Sequence, residues 1–403
     1  MKKNFRRKAI ALLIAALMLG SLAGCGGGES TEPENGEGNQ PAASSETIKL
    51  GLNMELSGDS ASYGSNSRDG AMLAINELNA AGGVLGMQIE PIEKDNKSDS
   101  AEAATLAAAL IDEGVSAHIG PLTSGCVNAC VPILEGAGIP TVAPAATAAN
   151  ITVNPDTNEV KPYAFRVCFI DPFQGDLMAE FALEQGYKTA AIYKDTSSDY
   201  SQGISAHFAK TFEAGGGTIV AEEGFTTGDR DFRATLNKIN ATNPEFLYIP
   251  GYYPEVAPLI KQAREAGMNM PMGGGDGWDS PDMLAVAGSE ALNNCFFSNH
   301  YSPEDTDEKV VTFVTDYKAT YNDKTPDAFA ALGYDAVMAV AHAIETSGST
   351  EPQAITDALA SLSDFAGVTG NMTMDEFHNP IKAGIILEFV DGAQVMKTRI
   401  EAQ

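Results

Sequence analysis

The chain has 403 residues, with 25 Lys and Arg against 54 Asp and Glu, a formal charge of −29. A surface this acidic is repelled by phosphate backbones and anionic lipid headgroups, which excludes nucleic-acid binding. The length exceeds what one hydrophobic core usually holds, so two lobes are expected.

In chain order, Lys2, Lys3, Arg6, Arg7 and Lys8 precede an apolar run from Ala9 to Leu19. That run is about half the roughly 20 residues needed to cross a bilayer, so it reads as a secretion signal. Leu22-Ala23-Gly24-Cys25 follows, and then a polar stretch rich in Gly and Pro to about Ser45. Small residues before a cysteine, with a flexible segment after it, predict a lipoprotein: a signal peptide over 1–24, lipid on Cys25 and a tether over 25–46. Loss of five basic residues and no acidic one would take the formal charge from −29 to −34. The body is expected outside the cytoplasm, held to the membrane through acyl chains only. Beyond the leader no long apolar run suggests a second span.

From Ile48 strand-like and helix-like segments alternate. Strands are predicted over Ile48–Met54, Met87–Lys94, Ala117–Ile119 and Pro140–Ala143, with helices over Gly64–Ala81, Ser100–Glu113 and Gly125 to about Glu135. The pattern then restarts. Strands over Ala164–Ile170, Ala190–Lys194, Thr218–Phe225, Phe246–Ile249 and Met270–Met272 alternate with helices near Phe173–Gln185, Ser201–Ala214, Phe232–Ala241 and Pro254–Ala266. Residues 305–322, 327–347 and 351–362 read as helical, and Gly384–Val390 with Gln394–Arg399 as a hairpin around Asp391-Gly392. Two βα series predict an α/β fold of two doubly wound parallel-sheet lobes. Ligands in such sheets bind beyond the carboxyl ends of the strands, so two facing lobes would make a cleft.

Four strand-end clusters meet that description: Gly120–Gly125, Pro144–Thr147, Gly251–Glu255 and Gly273–Trp278. They offer hydroxyls and free amides on one lobe, and aromatics with one carboxylate, Asp276, on the other. That set suits a small zwitterion, with hydroxyl and N–H groups for its carboxylate and Asp276 for its ammonium. Plainer roles stand beside these. Ser124 also fits a helix N-cap, Thr147 a turn hydroxyl and Asp276 an Asx-turn. Ser280 before Pro281 reads as a helix start. The glycine run lacks the spacing of a nucleotide fingerprint.

His118, His207, His300, His342 and His378 form no catalytic pattern, and neither a nucleophile elbow nor a zinc-protease pair occurs. No catalysis, metal or cofactor is expected. Cys126 and Cys130 lie four apart on a predicted helix, where a disulfide would be strained. Cys168 and Cys295 lie in separate apolar segments. The spacings match no zinc site, and buried free thiols are preferred over a Cys168–Cys295 bridge.

At these clusters the sequence resembles the solute-binding proteins of branched-chain amino-acid ABC transporters, the Leu/Ile/Val-binding family of type I fold. The blocks include Ile75–Leu85 (INELNAAGGVL), Pro144–Ala148 (PAATA), Phe165–Gly175 (FRVCFIDPFQG), Pro250–Ala266 (PGYYPEVAPLIKQAREA) and Gly274–Pro281 (GGDGWDSP). The resemblance implies that Ser124, Ala145, Ala146 and Thr147 hold the ligand α-carboxylate and share its ammonium. An acidic residue 24 positions beyond Tyr252, here Asp276, would complete the ammonium site. Glutamate is frequent at that position in the family, so the shorter aspartate is a departure. Aromatic positions carry over to Tyr63, Tyr200, Tyr252, Phe173 and Phe329. Trp278 is expected to narrow the side-chain pocket or to pack beside the hinge.

The resemblance further implies three crossings between lobes, near Cys168–Asp171, Asn299–Ser302 and Asn379–Ala383. The N-terminal lobe is then 47–170 with 300–379, and the C-terminal lobe 171–299 with 380–403. The implied protein is a monomer that captures an amino acid, with Leu, Ile or Val expected, and delivers it to a membrane permease. Another small or aromatic amino acid, or a ligand-sensing domain serving a receptor, remains as an alternative.

Overall fold

The computed structural model describes residues 47–401; the leader, Cys25 and the tether lie outside them. The first sheet orders its five parallel strands β2-β1-β3-β4-β5, with β1 Ile48–Met54, β2 Ile89–Asp95, β3 Ala117–Ile119, β4 Thr141–Ala143 and β5 Ala164–Arg166. Helices α1 (Ala61–Ala80), α2 (Ser100–Asp112) and α3 (Ser124–Ala137) connect them. The start of α2 is written in its sequence: Asp99 accepts from Glu102 N–H at 2.8 Å, a side-chain N-cap. Gly138 ends α3 in the left-handed conformation that glycine adopts without penalty.

The chain then enters a second layer through α4 (Asp171–Glu184), β6 (Thr189–Asp195), α5 (Asp199–Ala214), β7 (Thr218–Phe225), α6 (Arg233–Asn240), β8 (Phe246–Tyr248), α7 (Tyr253–Glu265) and β9 (Met272–Gly274). Two short helices, α8 (Pro281–Ala287) and α9 (Ser289–Leu292), lead to β10 (Cys295–Asn299). From there the chain returns to the first layer with α10 (Glu308–Thr320), α11 (Ala328–Ser347) and α12 (Pro352–Ala360). A small antiparallel sheet of β11 (Phe365–Gly367), β12 (Gly370–Met374) and β13 (Pro380–Ile381) follows. The hairpin β14 (Gly384–Val390) and β15 (Ala393–Ile400) finally adds to the second sheet, in the order β15-β14-β10-β9-β8-β6-β7.

Both halves are therefore parallel α/β sheets, the second carrying an antiparallel edge. Helix α11 is long and apolar enough to cross a membrane, but 78% of its apolar window is buried inside the fold. It packs on α1 at very close range. A Cβ on Gly70 would sit 1.8 Å from Ala330 O, and one on Gly333 would sit 2.1 Å from Ser67 O. Only glycine at these two positions lets the backbones meet.

Some boundaries differ from the sequence expectation. The strand expected over Ala164–Ile170 ends at Arg166, and the following helix starts at Asp171 rather than Phe173. The ninth strand begins at Met272, so the glycine run is partly strand. The β11–β13 sheet and α9 were not anticipated, whereas α8 begins at the Ser280-Pro281 helix start, with the Ser280 hydroxyl accepting from Asp282 N–H at 3.2 Å. Cys126, Cys130, Cys168 and Cys295 are buried free thiols, and no Cys168–Cys295 bridge forms. Burial pushes the Cys168 thiol up to about 12, which keeps it protonated and unreactive.

Candidate functional site

The loops after β3, β4, β8 and β9 converge between the two layers, and buried side chains fix each of them. Glu55, which follows β1, accepts from Leu122 N–H at 3.0 Å, from Thr123 N–H at 3.0 Å and from the Thr123 hydroxyl at 2.9 Å. Burial raises its pKa while those donors favour the carboxylate. This carboxylate holds the Pro121–Ser124 loop in place. Helix α3 begins at Ser124 itself, with Thr123 in the cap position. The Ser124 hydroxyl accepts from Ala148 N–H at 3.3 Å, tying the first loop to the second.

The second loop, Pro144–Thr147, is anchored from below by Arg166. Its guanidinium is buried and donates to Ala146 O at 2.8 Å and to the Thr152 hydroxyl at 3.3 Å. Thr147 O accepts from Asp171 N–H at 2.9 Å, and the Thr147 hydroxyl faces the Asp171 carboxyl. Asp171 is fully buried. Desolvation pushes its pKa up to about 8, with the Thr147 hydroxyl opposing that rise and the nearby Asp276 adding to it. Its Oδ1 accepts from Gln174 Nε2 at 3.0 Å, and Oδ2 has no protein partner.

From the second layer come Tyr200, Tyr252 and Asp276. The two tyrosine rings stack with centroids 5.0 Å apart and planes within 5°. The Tyr200 hydroxyl accepts from Gly277 N–H at 3.2 Å, and the Tyr252 hydroxyl faces Ser124 N–H across the cleft. Asp276 opens a single turn of 3₁₀ helix and is 3% exposed. Its N–H donates to Gln174 Oε1 at 3.3 Å, and its Oδ2 lies 3.0 Å from His300 Nε2. Oδ1 of Asp276 has no protein partner. Gln174 also accepts from the Ser298 hydroxyl at 2.9 Å, so one amide ties Asp171, Asp276 and β10 together.

Tyr63 on α1 spans the two layers. Its hydroxyl donates to Gly277 O and accepts from Tyr253 N–H at 3.1 Å, while its ring lies 4.3 Å from that of Phe329. Ser124, Thr147, Tyr63, Tyr200, Tyr252, Asp276 and Phe329 thus gather around one buried region, with Ala145 and Ala146 in its loop.

Two further expected residues have packing partners of their own. Trp278 is fully buried in the second layer, where its indole N–H donates to Ile249 O at 3.0 Å and its ring packs toward Phe297. A Cβ on Gly274 would come within 2.1 Å of that indole, which gives the glycine run a packing role. Phe173 packs against Phe169 and the start of β14. Sequence reasoning missed Glu55, Arg166, Asp171, Gln174 and His300. Glu55 alone carried a usable signal, because it stands directly after a strand that the sequence predicts, Ile48–Met54.

The arrangement offers hydroxyls and N–H groups on one side of the cleft and a buried carboxylate with a free oxygen on the other. Chemically, such a set is complementary to an anion and a cation at opposite ends of one small molecule. The family profile described as periplasmic binding protein matches residues 47–394. The Leu-, Ile-, Val-, Thr- and Ala-binding protein of Pseudomonas aeruginosa is 31% identical over 332 residues, 82% of this chain and 86% of that one. The crystal structure of the branched-chain amino-acid transporter substrate-binding protein LivJ from Streptococcus pneumoniae, in complex with isoleucine, superposes with a TM-score of 0.82 at 37% identity. It covers 89% of this chain and 99% of that one. The leucine-binding protein LivK of Thermotoga maritima gives 0.83 at 34%, covering 88% and 99%. With its fold and nearly its whole described length matched, the chain belongs to the periplasmic binding protein family, whose members bind solutes rather than transform them.

Proposed function

We propose that the chain captures a branched-chain L-amino acid between its lobes and presents it to the permease of an ABC transporter. The observation that carries this reading is the buried Asp276 carboxylate, with one oxygen free, facing the Ser124 and Thr147 loops of the opposite layer. A carboxylate in a dry cleft demands a cation, and a ligand ammonium satisfies it while the facing hydroxyls and amides take the ligand carboxylate. The aromatic surround of Tyr63, Tyr252 and Phe329 favours an aliphatic side chain. The names of the relatives point the same way.

The mechanism needs no bond chemistry. Ligand contacts from both lobes favour their joined arrangement, and the permease reads that arrangement. The lobes are 47–170 with 300–379 and 171–299 with 380–403, pivoting on the three crossings. The mature protein is a monomer, anchored outside the cell membrane through lipid on Cys25.

Calorimetry of unfolded, ligand-stripped and refolded protein against the twenty amino acids tests the reading. Leu, Ile or Val is expected to bind best, and N-acetyl-leucine poorly. Asp276→Ala should weaken leucine binding by about tenfold to a few hundredfold, the worth of a charged hydrogen bond. Equal binding by that variant, or no heat with any amino acid, would overturn it.

A further inference from the structure

His300 stands at the second crossing between layers, directly after β10. Its ring is 2% exposed and lies against Phe169, from the first crossing, with centroids 3.6 Å apart and planes at 28°. The backbone N–H of His300 donates to Asn299 Oδ1 at 2.8 Å. On the ring, Nε2 meets Asp276 Oδ2 at 3.0 Å and Nδ1 has no protein partner. A neutral imidazole carries one N–H, and a carboxylate only accepts, so the proton belongs on Nε2.

Asp276 therefore has one oxygen committed to an immobilised donor and one that is buried and free. We propose that His300 is a positioning residue of the amine site: its Nε2–H holds Asp276 Oδ2 and so aims Oδ1 at the ligand ammonium. Because the ring is clamped between the first crossing and Asp276, the aim of that oxygen follows the geometry of the hinge. Burial holds the imidazole below its ordinary pKa, opposed by Asp276. The pair then keeps the negative charge of Asp276 available to a cation. This inference rests on the reading of the cleft as an amino-acid site.

The test compares L-leucine with 4-methylpentanoate, which has the same carbon skeleton without the amine. His300→Phe keeps a ring on Phe169 and removes the donor, while His300→Gln keeps an N–H donor; should the Phe variant fail to fold, His300→Leu serves in its place. Calorimetry should show about five- to thirtyfold weaker leucine binding for His300→Phe, and about threefold or less for His300→Gln. Binding of 4-methylpentanoate should stay within about twofold of wild type in both, because it lacks the group that His300 serves. In an Asp276→Asn background the added effect of His300→Phe on leucine should fall to about twofold or less, the coupling expected of residues that act as one unit. Equal losses for both ligands, or full additivity in the double variant, would overturn the positioning role. If the wild-type protein binds no amino acid, the reading of the cleft itself fails, and that result is distinct from either.

Discussion

Tyr63→Phe removes a single oxygen, yet that oxygen joins the two layers twice. The hydroxyl donates to Gly277 O and accepts from Tyr253 N–H at 3.1 Å, and the side chain is 1% exposed. The phenyl ring that remains keeps its place beside Phe329. When the lobes separate, Gly277 C=O and Tyr253 N–H regain water, so the loss falls almost wholly on the joined arrangement. Two net hydrogen bonds at about 0.5–1.5 kcal/mol each come to about 1–3 kcal/mol. That converts to a Kd about 5- to 150-fold weaker.

The change should appear mainly as faster ligand release, because the encounter with one open lobe does not use the contact. Calorimetry gives Kd. Stopped-flow fluorescence of Trp278, the one tryptophan in the sequence and the residue after Gly277, gives the release rate. The melting midpoint without ligand should move little. A variant with wild-type Kd and wild-type release would refute the claim that this hydroxyl holds the lobes together.

Two further outcomes follow from burial and from the leader. Asp171, pushed up to about 8 by desolvation, binds its proton more tightly in the folded protein than in the unfolded chain. Its contribution to stability is complete below about pH 4 and is lost as pH rises to about 8. The urea midpoint of Asp171→Asn should therefore fall less between pH 5 and 8 than that of wild type; an unchanged slope would contradict the buried acid. For the anchor, Cys25→Ser should move the protein from the membrane fraction to the soluble one or leave an unprocessed precursor, and processed, membrane-bound Cys25→Ser at wild-type level would remove the lipoprotein assignment.

Much of the site was legible because the βα alternation places every strand end on one rim. Ser124, Thr147, Tyr252 and Asp276 each follow a strand by a few residues, so finding the strands found the loops. What stayed hidden is the shell that fixes those loops. Glu55 reaches Leu122, 67 positions on, and Gln174 reaches Asp276, 102 positions on. Neither separation is a local period, and helical or strand spacing carries no trace of it. Trp278 shows the converse. Its place two residues after Asp276 left a pocket wall and packing beside the hinge both open; the indole is buried in the second layer with its N–H on Ile249 O, and Gly274 leaves room for it. The β11–β13 strands, two to five residues long, are too short to show an alternation at all.

A similar shell surrounds the ionisable groups buried at the crossings between layers. Each crossing between layers carries a buried acid or base: Asp171 on the first, His300 on the second and Lys382 on the third. Lys382 donates to Val167 O at 3.1 Å and to the Thr369 hydroxyl, and burial pulls its pKa down to about 8 against the attraction of Asp335. Asp335 in turn accepts from Val368 N–H at 2.7 Å and from Thr369 N–H at 2.9 Å. Burying such groups costs several kcal/mol each unless a partner meets them. Most of the partners sit on other segments: Thr147 and Gln174 for Asp171, Asp276 and Phe169 for His300, Val167 and Thr369 for Lys382. A crossing that bends without carrying its partners along leaves a charge or a donor unmatched. That cost opposes independent flexing of the crossings, and on the proposed reading of the cleft it would make the two sheets turn together about them.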